Sequence, residues 1–284
     1  MEKQKRIMAV HDISCFKKCS LTVALPILSA AGLEASVIPT AVLSTRTGEF
    51  GDDTHHDLLG DILPAARHWQ SLHPNFDSIY TGFLGSYDQL HIVSELIDLF
   101  KENDTLVFVD PVMADDGALY PELCQNFPEE MAKLCGKADV IVPNLTEASL
   151  LLGEPYRSGP YSRAYIDSIL EKLGALGPNK VVLTGVYFDG GHLGVAAYNK
   201  LTGEIDYILS ERIEGSFQGT GDIFASALLS ALMKGFPLPK AARIAVDFTA
   251  ASILRTKKAG TDPQFGVNFE AGIPEFISRL GLAR

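Results

Sequence analysis

Short apolar runs alternate with longer amphipathic segments from one end of the chain to the other. The runs RIMAVH (6–11), ASVIPTAVL (35–43), DSIYTGF (77–83), TLVFVDPV (105–112), DVIVPN (139–144) and KVVLTG (180–185) have the length and composition of strands. Between them, SLTVALPILSAAG (20–32), LHIVSELIDLFKEN (90–103), NLTEASLLLG (144–153) and SRAYIDSILEKLGAL (162–176) space apolar residues by three and four, as helices do. Strands separated by helices pair in parallel through crossovers, so the pattern predicts a layered α/β fold. The rhythm changes near 193–209, where LGVAAYN and EIDYILS are separated only by KLTG and predict an antiparallel hairpin. Two further helices are expected over 239–256 and 269–282. There is no internal repeat, no low-complexity tract and no Pro/Gly/Ser linker, so one domain is expected to span 1–284.

In open parallel sheets ligands gather at the carboxyl ends of the strands. The polar positions that follow the expected strands are therefore the candidates for chemistry: Asp12, Thr47, Gly82-Phe83, Asp110, Asn144 and Thr184. To these is added Gly219-Thr220-Gly221-Asp222, placed directly before a long apolar helix pattern. Glycines leave backbone amides open to a ligand, and a helix N-terminus carries roughly half a positive charge, so this turn suits an anion. Asp222 reads equally as a helix cap. The turn is not a Walker A loop, because no Lys-Ser/Thr follows, and it lacks the third glycine of the dinucleotide fingerprint.

Asp110 ends an apolar strand, and Asp115 and Asp116 follow in a loop. Carboxylates at that edge could hold Mg²⁺ or could simply make an Asp/Gly turn. Asn144 and Glu147 have the spacing of a reciprocal helix cap. Lys17 and Lys18 read as a solvated loop or as a cover facing phosphate, and His55-His56 as the exposed start of a helix.

Charge and composition narrow the classes. A formal net charge of -11, with Lys and Arg scattered, argues against a nucleic-acid surface. Four cysteines without metal spacing read as reduced thiols. No apolar run approaches the ~18 residues that span a bilayer, and no signal-like segment opens the chain, so no membrane partner and a cytoplasmic location are expected.

The motifs together are more specific than any one. GTGDIFAS resembles the glycine-aspartate signature of the ribokinase superfamily, and DPVMADDG with PNLTEASLL resembles the acidic segments of its vitamin-kinase branch, pyridoxal kinases above all. IMAVHDIS, AVLSTRTG, YTGFLGS and VVLTG fall in the same order. The resemblance implies a ribokinase-like three-layer α/β/α fold with a mainly parallel central sheet. It implies an ATP-dependent kinase acting on the 5′-hydroxymethyl of a B6 vitamer, with Mg²⁺, a monovalent cation such as K⁺, and a homodimeric state. By the same resemblance Asp222 is the catalytic base and Gly219, Thr220 and Gly221 cradle the transferred phosphoryl group. Asn144 and Thr184 lie along ATP, Asp110, Asp115 and Glu147 serve the metal region, and Asp12, Thr47 and Phe83 meet the vitamer. The chain departs from better-known pyridoxal kinases at Asp12, where they carry serine, at Arg46, where they carry histidine, and at Phe16-Lys17-Lys18, where they carry a glycine-containing loop. Two alternatives stand beside this reading. One is a hydroxymethylpyrimidine kinase, whose glycine-rich first loop is missing from HDISCFKKCS; the other is a catalytically idle nucleotide-binding relative.

Overall fold

The structure is a computed structural model and describes residues 3–45 and 54–282. Strand β1 (Arg6–Ser14) leads through α1 (Leu21–Ala30) to β2 (Glu34–Leu43). The short β3 (His55–Asp57) and α2 (Leu59–Ser71) precede β4 (Ser78–Thr81), α3 (Tyr87–Phe100) and β5 (Leu106–Val109). A small hairpin, β6 (Ala114–Asp115) and β7 (Ala118–Leu119), is followed by α4 (Phe127–Gly136), β8 (Val140–Ile141), α5 (Leu145–Leu151) and α6 (Arg163–Ala175). Strands β9 (Lys180–Val186), β10 (His192–Asn199) and β11 (Glu204–Glu211) lead to α7 (Thr220–Met233), α8 (Leu238–Ala259) and α9 (Ile273–Arg279).

The main sheet has the order β11-β10-β9-β8-β5-β4-β1-β2-β3. Strands β2, β1, β4, β5, β8 and β9 run parallel; β3 is antiparallel at one edge, and β10 and β11 form the expected hairpin at the other. Both faces are covered, which is why the central strands are apolar nearly throughout instead of alternating. Met8, Val10, Ile79, Val107 and Val109 pack with α2 to α6 on one side, and Ile7, Tyr80, Phe108, Val182 and Val195 pack with α1, α7, α8 and α9 on the other. The three-layer fold expected from the sequence is the one observed.

Two helices, α2 and α4, fall outside the pattern read from the sequence. Pro64 sits inside α2, as Pro26 sits inside α1, and Pro128 stands in the first turn of α4, a position that suits proline. His55 and His56 do not start a helix. They lie exposed on the edge strand β3, paired with Leu43 and Val42.

His11 is the one fully buried histidine in the sheet core. Its ring meets Tyr80 edge-on with centroids 4.3 Å apart, and a Cβ at Gly82 would fall 2.2 Å from its Nδ1. Neither ring nitrogen has a hydrogen-bond partner among the described residues. Burial lowers its pKa from 6.5 to about 3. A folded-state pKa below the unfolded one gives stability that is present above pH 6.5 and is lost as pH falls from there toward 3. His11→Leu should therefore narrow its stability difference from the wild type, or reverse it, as pH drops from about 7.5 to 5. The slope is at most about 1.4 kcal/mol per pH unit. Parallel denaturant titrations of the two proteins measure it, and equal pH slopes would contradict the assignment.

Candidate active site

A cleft of about 870 Å³ opens at the carboxyl edge of the sheet. Asp12, Phe83, Asp110, Asp115, Asn144, Glu147, Thr184 and the whole turn from Gly219 to Asp222 line it. Thr47 and Arg46 lie outside the described residues. Apart from Gly82, which packs against the His11 ring, every other site residue expected from the sequence faces one space, although Asp12 and Asp222 are 210 positions apart (222 − 12).

The glycine turn is shaped by its neighbours. Gly219 occupies the N-cap position of α7 with φ 73°, and a Cβ there would fall 2.0 Å from the carbonyl oxygen of Lys18. Both facts require glycine. Asp222 is therefore not the N-cap residue; it stands in the first turn, and its Oδ2 accepts the backbone amide of Ser20 at 3.0 Å. Gly221 differs from Gly219: its φ is not positive, and a Cβ would meet nothing within 4 Å. Neither conformation nor packing demands glycine there, and the bare backbone is left to whatever enters the cleft.

Opposite the turn lies a group of carboxylates. Asp110, just past β5, is buried, and its pKa is raised by burial and by the nearby charges of Asp222 and Asp115. Glu147 is buried on α5, and its pKa is raised by burial and by Asp110. Two backbone amides hold Glu147: Met113 N donates to Oε1 at 3.2 Å and Asn144 N to Oε2 at 2.8 Å. Asn144 Oδ1 in turn accepts Glu147 N at 2.8 Å, so the reciprocal cap read from the sequence is present within the cleft wall. Asn144 Nδ2 also donates to Asp115 Oδ1 at 3.1 Å, and Tyr120 donates its hydroxyl to Asp115 Oδ2 at 2.7 Å. The loop carrying these acids is a hairpin, with Asp116 at φ 50° and Gly117 at φ 85° as its two central residues. The Asp/Gly turn read from the sequence is present, and Asp115 in it lines the cleft. Thr184 on β9 pairs with Asn144 through its amide, which donates to Pro143 O at 2.9 Å.

On the opposite wall, Asp12 is buried, and Ser14 Oγ donates to its Oδ2 at 3.0 Å. Phe83 lies near Tyr120 with ring centroids 6.4 Å apart. Sequence reasoning missed Ser20 and Tyr120, and it named Lys18 without its partner. Lys18 is not simply solvated: its Nζ pairs with Glu270 at 2.8 Å and reaches Asn268 Oδ1 at 3.3 Å. Ser20 and Lys18 matter through contacts with distant segments, which local sequence does not mark, and Tyr120 through a side-chain bond within its own hairpin.

Buried carboxyls this close together are offset either by protons or by a cation, and a carboxylate set of this kind suits Mg²⁺ through oxygen ligands. Among the described residues no three acidic, imidazole or thiol side chains converge as a ready-made ligand set.

A sheet of this order, with an amide-lined helix N-terminus facing acids across the carboxyl edge, defines a ribokinase-like protein. The match to a Lactobacillus plantarum pyridoxal kinase structure has a TM-score of 0.89 at 28% identity, covering 97% of this chain and 98% of that one. A Bacteroides thetaiotaomicron protein grouped with the phosphomethylpyrimidine kinases and solved with pyridoxal matches at TM-score 0.92 and 36% identity, over 96% of both chains. An Arabidopsis thaliana pyridoxal kinase is 35% identical over 201 residues; the match takes in 66% of this chain and 62% of that relative's length. The phosphomethylpyrimidine kinase family model matches residues 32–266, and the chain belongs to that family.

The open space beside Gly221 yields a two-sided expectation. Gly221→Ala should raise the melting temperature slightly, since alanine favours a helical turn by up to about 1 kcal/mol. It should also weaken Mg-ADP binding by at least roughly tenfold, about 1.4 kcal/mol. Calorimetry on the variant decides. Higher stability with unchanged binding would remove Gly221 from the ligand site.

Proposed function

We propose that the chain, working as one domain over 1–284, is an ATP-dependent kinase that phosphorylates the 5′-hydroxymethyl group of a B6 vitamer. The observation that carries this reading is Asp222, held by the Ser20 amide at the start of α7 beside the bare backbone of Gly221 and inside the acid-lined cleft. Phosphoryl transfer asks little covalent chemistry of a protein and much positioning and charge stabilisation. In this reading Asp222 takes the proton of the substrate hydroxyl as its oxygen attacks the γ-phosphorus. The bond to the bridging β–γ oxygen breaks and ADP leaves. The amides of Gly219, Thr220 and Gly221 face the charge that develops on the transferred group, and Asn144 and Thr184 flank the nucleotide.

Mg²⁺, held by Asp110, Asp115 and Glu147 directly or through water, would neutralise phosphate charge, and a monovalent cation such as K⁺ would offset more of the remaining acid. Asp12, Thr47 and Phe83 form the vitamer side. The reading includes a cytoplasmic homodimer; no helix among the described residues is long and apolar enough to cross a membrane. The description of the family, phosphomethylpyrimidine kinase, keeps a second reading open, in which the acceptor is hydroxymethylpyrimidine, another hydroxymethyl group on a heteroaromatic ring.

Initial rates of ADP formation with pyridoxal, pyridoxamine, pyridoxine and hydroxymethylpyrimidine test the reading. A B6 vitamer is expected to be the preferred acceptor. Preference for the pyrimidine would move the reading to the alternative, and no turnover with any of the four would overturn both. Asp222→Asn should bind Mg-ATP within about twofold of the wild type while kcat falls by ~10²–10⁴, because an amide cannot accept the proton. A variant retaining most of the rate would exclude Asp222 as the base.

A further inference from the structure

The loop between β1 and α1, residues 15–20, crosses over the glycine turn, and its backbone is under strain. Lys17 has φ 97° and Ser20 has φ 52°, two non-glycine residues in the left-handed region within four positions. Such conformations persist only where the surroundings hold them. What holds this loop is the segment 265–270 after α8. Lys18 Nζ pairs with Glu270 Oε2 at 2.8 Å, donates to Asn268 Oδ1 at 3.3 Å and lies 5.7 Å from the centre of the Phe269 ring. Gly266, at φ 90°, lets the chain approach so closely that a Cβ there would fall 2.6 Å from Lys18 Cβ. Phe16 meets Phe265 edge-on with centroids 5.8 Å apart. The segment is itself anchored to α8, since Asn268 N donates to Thr256 Oγ1 at 2.7 Å and Arg255 Nη1 donates to Asn268 O at 2.8 Å.

Two backbone contacts of this loop reach the proposed base. The Lys18 carbonyl oxygen lies against Gly219, and the Ser20 amide donates to Asp222. We propose that Lys18 is a positioning residue: its ion pair with Glu270 clamps the strained loop so that the Ser20 amide holds the Asp222 carboxylate in its working orientation. The inference rests on the kinase reading for its kinetic consequence but not for its structural one.

The side chains of Lys18 and Glu270 are 29% and 52% exposed, so their pair adds little to global stability. Its loss should register in the loop and in the chemical step. A displacement of about 1 Å at a reacting group can cost up to 10²-fold in rate.

The experiment measures amide exchange at Ser20, kcat, KM for ATP and melting temperature for the wild type, Lys18→Met, Glu270→Gln and the reversed pair Lys18→Glu/Glu270→Lys. The single variants should exchange the Ser20 amide roughly tenfold faster and lose roughly tenfold in kcat, with KM for ATP within about twofold. Their melting temperatures should stay within about 2 °C of the wild type. The reversed pair should recover both exchange and kcat. Unchanged Ser20 exchange in both single variants, or a reversed pair no better than either of them, would overturn the inference. A wild type that phosphorylates no acceptor would refute the kinase reading alone, and the exchange measurement would still decide the clamp.

Discussion

No side-chain carbon fits at position 219, and much of the site follows from that. The carbonyl of Lys18 occupies the space a Cβ would need, so the first connection of the sheet and the start of α7 meet backbone to backbone. This contact sets the Ser20 amide within hydrogen-bond distance of the Asp222 carboxylate, at 3.0 Å. Because β1 is central and parallel to both neighbours, its carboxyl end lies at the same edge as those of β4, β5, β8 and β9. The glycine turn is thereby brought to the edge where acids from other crossovers already collect.

Those acids are costly to gather. Asp110 and Glu147 are buried and repel each other, and both hold their protons more tightly than exposed carboxyls do. Tyr80, whose hydroxyl shares a 3.2 Å hydrogen bond with Ser226 beneath the turn, is likewise raised, by burial first and then by Asp110 and Asp222. A protein that only needed to fold would replace such a cluster with apolar packing at little loss. Its place opposite an electropositive helix end makes sense when a cation and a polyanion enter together, each offsetting a charge that the fold leaves unbalanced.

The sequence disclosed what depends on local pattern. The parallel strands, the β10–β11 hairpin and most crossover helices follow from apolar periodicity, and Asn144 with Glu147 forms the cap that their spacing predicts. Strand-end positions gave the acids, because topology sends them to one edge. Helices α2 and α4 were not read from the sequence; prolines do not account for this, since α1 was read despite Pro26 and Pro128 of α4 stands in the first turn, where proline is favoured. His55 and His56 were misread because a three-residue edge strand has no period to detect. Ser20 and the partner of Lys18 were illegible for a different reason: Lys18 meets Glu270 across 252 positions, and no local pattern encodes that. Asp222 could be read as cap or base from the sequence; the structure puts Gly219 at the cap and leaves the carboxylate facing the cleft.

The central claim is that Asp222 and the Gly219–Gly221 amides act on opposite partners of one transfer. A crystal structure with a non-hydrolysable ATP analogue, Mg²⁺ and pyridoxal tests it most directly. The account predicts the vitamer's 5′ oxygen within about 2.6–3.2 Å of an Asp222 carboxylate oxygen and the terminal phosphate on the turn's amides. A vitamer bound with its hydroxymethyl group turned away from Asp222, or a nucleotide seated elsewhere than the turn, would contradict it.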